Sequence, residues 1–175
     1  MRVIFRARTT FLASVRQNLS RRHAFADERV GFISIVAANT KTDLVLIAKD
    51  YHPVLDEDYV DDQSVGAMMS SEAIRKALNI ALFQPVGMLH VHMHGHRGEP
   101  KFSKIDLTEQ TKFVPDFFKV RPQMPHGAIV LSRDSARGRI WLNPNELLPI
   151  TEFVVVGPQV DILLRSPGRR IDIVT

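Results

Sequence analysis

Residues 89–106 read LHVHMHGHRGEPKFSKID, and four of the chain's seven histidines fall at positions 90, 92, 94 and 96. Leu89, Val91 and Met93 alternate with His90, His92 and His94. That period of two belongs to a strand presenting its imidazoles on one face. The segment GHRGEP then forms a loop, and a helix is expected from about Ser103 to Lys119, with Pro115 placed to kink or end it. A strand, a short return and a helix bring the end of the strand and the first helical turn together. Alternating histidines alone suit a metal site, a nucleophilic histidine or a histidine-rich strand end.

Working outward, residues 2–6 suit a short strand. Thr9 and Thr10 offer N-caps for an amphipathic helix carrying Phe11, Leu12, Val15 and Leu19 and ending near His23. VGFISIVAA and LVLIAKD flank the polar turn NTKTD as a hairpin, and Tyr51 to Met69 is an acidic, aperiodic connection. Ser70 or Ser71 caps a helix carrying Ile74, Ala77, Leu78, Ala81 and Leu82, which Gln84-Pro85 closes before the histidine strand. Beyond the third helix, GAIVLS with GRIWL and FVVVG with VDILL make two further hairpins. The expected fold is an α/β (α+β) sandwich, a mostly antiparallel sheet flanked by helices. No linker or repeat divides the chain, so a single domain over 1–175 is expected, with the tail 166–175 its loosest part.

At 175 residues and 45% hydrophobic content, one full core is within reach. The absence of cysteine excludes disulfides, thiolate nucleophiles and Cys-ligated zinc. The formal charge of +4 is unevenly distributed, with arginines near the N-terminus and DEDYVDD at 56–62, and no aromatic-interleaved basic stripe accompanies it. Nucleic-acid binding is therefore not expected. Neither a membrane span nor a signal-type apolar stretch is visible, so a cytoplasmic protein is expected.

Two histidines at i and i+2 on a strand can place nitrogens about 2.0–2.1 Å from one zinc ion. Asp106, in the first turn of the returning helix, is then a sensible third ligand. Each piece also has a plainer reading. Ser103-x-x-Asp106 is nearly a capping box. Glu28, before a strand, is by itself an ordinary surface carboxylate, and one histidine on a strand is ordinarily structural.

Taken together and in order, these pieces resemble the JAMM (MPN/JAB-type) zinc metalloprotease family. His92-Met93-His94 supplies the H-x-H element and Ser103-Lys104-Ile105-Asp106 supplies S-x-x-D. Glu28-Arg29-Val30-Gly31 resembles the family's glutamate-containing entry into an early core strand. The likeness spans roughly Thr9 to Leu142, and the compact size is similar to the bacterial branch. Two departures stand out: the 95–102 loop is one residue longer than the family pattern, and Gly95 occupies the usual proline position. His90 with His92 is an alternative register that fits the spacing less well.

The resemblance implies a cytidine-deaminase-like MPN/JAB sandwich and Zn2+ held by His92, His94 and Asp106. It further implies Glu28 as general base and Ser103 as donor to the oxyanion. The implied reaction hydrolyses the bond after the C-terminal glycine of a ubiquitin-like protein, in deconjugation or precursor processing. Implied partners are that protein or its conjugates and E1/E2-like enzymes of the same pathway. An extended substrate tail is expected to add to a sheet edge near the histidine strand.

Other chemistries compete for the same histidines. A histidine-triad nucleotide hydrolase would use His92 as nucleophile, and His90 to His94 match the front of that motif, but Gly95-His96 breaks its end. A cupin-like metal binder would enlist Glu99, and an inactive binding scaffold would not need the ligands kept here. His96 is expected to be a loop histidine. His23, His52 and His126 have no constellation, Arg133, Asp134 and Arg137 belong to a hairpin turn, and Trp141 is core.

Overall fold

The computed structural model describes residues 1–23, 26–62, 66–158 and 160–165. In chain order the elements are β1 (Arg2–Arg8), α1 (Thr9–Leu19), β2 (Val30–Asn39), β3 (Asp43–Pro53), β4 (Tyr59–Val60) and β5 (Met68–Met69). Then come α2 (Ser71–Phe83), β6 (Gly87–Met93), α3 (Lys104–Val120), β7 (His126–Leu131), β8 (Ala136–Asn143), β9 (Glu146–Pro149), β10 (Glu152–Val156) and β11 (Val160–Arg165). Nine strands form one sheet in the order β11-β10-β1-β3-β2-β6-β7-β8-β9, and β4 with β5 makes a separate ribbon. β1 runs parallel to β10 and β3, β6 runs parallel to β7, and the other pairings are antiparallel. The architecture is mixed α/β, with a mostly antiparallel sheet and three helices among the described residues.

Alternation along the strands builds a core on each face of the sheet. On one face Leu89, Val91, Ile33, Ile35, Ile129 and Leu131 pack with Leu12, Val15 and Leu19 of α1. On the other, Met88, Phe32 and Trp141 pack with Ala73, Ala77 and Ala81 of α2 and Phe113, Val114 and Phe117 of α3. The histidines lie on this second face, alternating with the leucine and valine of the first. None of the described helices is long and apolar enough to cross a membrane.

Several expectations need correction. α1 starts without a threonine cap, since Arg8 is its N-cap residue, and it stops at Leu19 rather than near His23. The buried Arg29 guanidinium accounts for the early stop. It donates to the carbonyls of Arg21 (3.1 Å) and Arg22 (2.9 Å) and to Asp56 (2.5 Å), which draws the chain out of helix. The 51–69 connection contains the end of β3, a 3₁₀ turn at Asp56–Asp58 and the β4–β5 ribbon. β9 had no strand expectation. Pro115 sits inside α3 without ending it. An interior proline costs about 3 kcal/mol, and burial of Phe113, Val114, Phe117 and Phe118 around it offsets that loss. The tail 166–175 lies outside the described residues.

His126 is fully buried, and its ring joins the start of β6 to the end of α3. The Met88 amide donates to its Nδ1 (3.1 Å), so the proton resides on Nε2, which donates to the Arg121 carbonyl (3.0 Å). The ring stacks on Phe117 and meets Phe118 edge-on. Burial lowers its pKa from 6.5 to about 4, against the opposing pull of the Arg121 carbonyl. The unfolded chain therefore takes up this proton at higher pH than the folded one, and His126 makes stability fall as pH drops from 6.5 towards 4. Its share of that loss is expected to be on the order of 3 kcal/mol. Urea melts across this range for wild type and His126→Phe check it: the variant is weaker near neutrality but has the shallower pH dependence, and parallel profiles would refute the assignment.

Candidate metal centre

The pairing of β2 with β6 builds the first half of the site. Val30 faces His92 and Phe32 faces His90 across this antiparallel ladder. Continuing the register two residues outward sets Glu28 opposite His94, and the Glu28 Oε1 to His94 Nε2 separation is 3.7 Å. Gly31 leaves room in this entry strand for the Tyr51 ring, which would lie 2.6 Å from a Cβ at that position and would have to shift. Tyr51 in turn donates to Asn18 (2.8 Å) and ties β3 to the last turn of α1.

The second half comes from the start of α3. Ser103 is the N-cap: its hydroxyl accepts from the Asp106 amide (3.0 Å), and the Asp106 carboxylate accepts from the Ser103 amide (2.7 Å). The capping box of the sequence is thus formed. The same Asp106 Oδ2 lies 3.6 Å from His92 Nε2. Capping and proximity to the histidines are therefore both properties of one carboxylate.

Ligating atoms of Glu28, His92 and His94 all lie within 4.8 Å of one another, a group that can hold a metal ion. Asp106 stands outside that closest trio but against His92. Imidazole and carboxylate donors suit zinc and other first-row divalent ions. The chemistry of burial also fits a cation. Both nitrogens of His92 are buried without a hydrogen-bond partner among the described residues, and desolvation lowers the pKa of His92 and of His94. Neutral imidazole is the form that binds metal. Glu28 is raised from 4.5 to about 7 by burial first, then by the neighbouring charges of Asp106 and Asp27.

The loop after β6 is held from outside by the turn between β7 and β8. The Gly98 amide donates to Asp134 (2.8 Å), the Arg133 amide to the His96 carbonyl (3.1 Å), and Arg137 pairs with Glu99 (2.7 Å). Gly98 has φ of 85°, a left-handed conformation that glycine accepts without strain. Arg133, Asp134 and Arg137 thus do more than stabilise their own turn, which their sequence spacing did not reveal. Glu99 is engaged with Arg137 on the surface. His96 is exposed, its Nδ1 2.8 Å from the Arg97 carbonyl. His52 contacts Ser34 (3.2 Å), His23 lies against Tyr59 and near Asp56, and Trp141 is core beneath Arg139. A cleft of about 680 Å³ reaches Glu28, lined also by Leu19, Arg22, Met93, Gly95 and Arg133.

No family model matches the chain, and no curated protein does.

Because the Glu28 pKa is raised on folding, its stabilising share is present below pH 4.5 and lost as pH rises through about 7. In metal-free protein, Glu28→Gln is expected to be more stable than wild type at pH 8 by about 2 kcal/mol, discounted for partial exposure, with no such gain at pH 4. A bound divalent cation favours the carboxylate, so saturating Zn2+ should cancel the advantage. Thermal melts with and without zinc measure this, and an equal effect at both pH values would refute it.

Proposed function

We propose that this chain is a zinc-dependent peptidase of the JAMM type, with an MPN/JAB-type fold, that hydrolyses the bond after the C-terminal glycine of a ubiquitin-like protein. The observation carrying the proposal is the convergence of four residues, Glu28, His92, His94 and Asp106, from three separate elements. His92 Nε2 meets Asp106 at 3.6 Å, and His94 Nε2 meets Glu28 at 3.7 Å. The elements follow one another as in the family whose motifs the sequence resembles.

His92, His94 and Asp106 would hold the ion, and Glu28, whose Oε1 is 3.7 Å from His94 Nε2, would serve as the base. When bound, zinc would supply Lewis acidity, which polarises a carbonyl and lowers the pKa of water towards about 7. Glu28 takes the proton of the attacking water and returns it to the departing amine. Burial supports that double duty by raising its pKa, to about 7 in the metal-free protein, against the opposite pull that a bound cation would exert. The Ser103 hydroxyl accepts from the Asp106 amide, which leaves its own proton to donate to the oxyanion of the tetrahedral intermediate. At 1% exposure, His92 suits a buried ligand better than a nucleophile that must reach phosphorus.

Tail docking beside β6 itself is closed, because β2 and β7 occupy both of its edges. The β4–β5 ribbon offers the alternative. The Glu28 amide donates to Gly66 (2.9 Å), just before β5, which sets the ribbon beside the base. An extended tail can add to it by main-chain hydrogen bonds and lead its glycine to the centre.

Metal analysis with a peptidase assay on a ubiquitin-like C-terminal fusion tests the proposal. Wild type is expected to bind zinc and to stop cleaving with chelator. His94→Ala and Asp106→Asn should lose the metal, while Glu28→Gln should keep it and lose roughly 10²- to 10⁴-fold in kcat. Chelator-insensitive cleavage, or full turnover by Glu28→Gln, would overturn the assignment. Loss of metal from Glu28→Gln with retention by Asp106→Asn would exchange the roles of the two carboxylates.

A further inference from the structure

Beneath the metal centre lie polar groups that the proposed reaction does not use. Gln110 is 1% exposed, and neither its Oε1 nor its Nε2 has a hydrogen-bond partner among the described residues. His90 is 8% exposed, and both its ring nitrogens are likewise unpartnered. Their surroundings are apolar. The His90 ring lies 5.4 Å from Phe113 and 5.6 Å from Phe32, between centroids. An unpaired buried amide or imidazole is costly, and an apolar side chain of similar shape would avoid that cost.

Their placement connects them to the centre. On α3, Asp106, Gln110 and Phe113 follow at i, i+4 and i+7, one stripe of the helix. Asp106 meets His92, and Phe113 meets His90. Gln110 therefore falls at the level between the two histidines, whose ring centroids are 5.8 Å apart. His92 turns Nε2 towards Asp106 and leaves Nδ1 on its inner side, also buried and unpartnered. An ion taking the lone pair of Nε2 fixes the ring proton on Nδ1, and that proton needs an acceptor. Gln110 Oε1 and a neutral His90 nitrogen are buried acceptors without a partner among the described residues, one on the helix stripe that meets both histidines and the other in the neighbouring ring.

We propose that Gln110 and His90 are positioning residues for the metal centre, accepting from Nδ1 of His92 through one buried water, so that Nε2 is held towards the ion. This rests on the metal-binding reading above and adds to it the part of the site beneath the ligands. Zn2+ affinity by competition with a chelating dye, on the full chain, tests it alongside melting of the metal-free protein. Gln110→Met and His90→Phe keep size and shape while removing the acceptor. Expected is a 10- to 100-fold loss of Zn2+ affinity with a melting temperature unchanged or raised. Unchanged affinity in both variants overturns the proposal and leaves the metalloprotease reading standing. Affinity lost only in step with a fall in melting temperature also overturns it, because a packing role alone would do that. A wild-type chain without Zn2+ affinity sinks both. Should Gln110→Met fail to fold, His90→Phe carries the same test, its ring being one that Phe32 and Phe113 already accommodate.

Discussion

β6 is hydrogen-bonded along both edges, to β2 and to β7, and this double pairing governs the arrangement of the site. A strand inside a sheet cannot slip by one residue without turning all its side chains to the other face. Leu89 and Val91 are committed to the α1 core, so His90 and His92 are committed to the opposite one. The β2 ladder then sets Glu28 level with His94. Burial of those imidazoles follows from the same commitment, and with it their lowered pKa values. Neutral, water-shielded nitrogens beside carboxylates are suited to a cation.

The return from β6 to α3 completes the arrangement. Its loop is fastened by the β7–β8 turn, through Asp134, Arg133 and Arg137. A fastened loop gives the N-terminus of α3 one position, and the capping box gives the Asp106 carboxylate one orientation. Capping and ligation were rival readings of Ser103-x-x-Asp106. They are compatible because a carboxylate oxygen has lone pairs for both the Ser103 amide and a neighbour near His92.

Much of the fold was legible. Alternation marked β6, β-rich runs flanking turns marked β1, β2, β3, β7, β8, β10 and β11, and helical spacing marked α2 and α3. What escaped has local reasons. The end of α1 depends on Arg29, distant in sequence, taking the Arg21 and Arg22 carbonyls. β9 and the β4–β5 ribbon are too short to carry a period. Pro115 pointed to a break, and tertiary packing overrode it. At the centre, Gln110 had one signal, its position a turn beyond Asp106 on the same helix face, but a glutamine on a helix ordinarily faces water.

The sequence by itself determined the residue types of the site and the elements bearing them: histidines on one face of a strand, an aspartate in a first helical turn, a glutamate at the entry of another strand. These are matters of spacing, which propensity and period encode locally. Tertiary structure alone decided which atoms meet. It brought Glu28 into the closest trio with His92 and His94, left Asp106 against His92 while capping α3, and buried Gln110 without a hydrogen-bond partner among the described residues. Separations of a few ångströms between groups distant along the chain follow from strand register and helix docking, and no short stretch of sequence contains either.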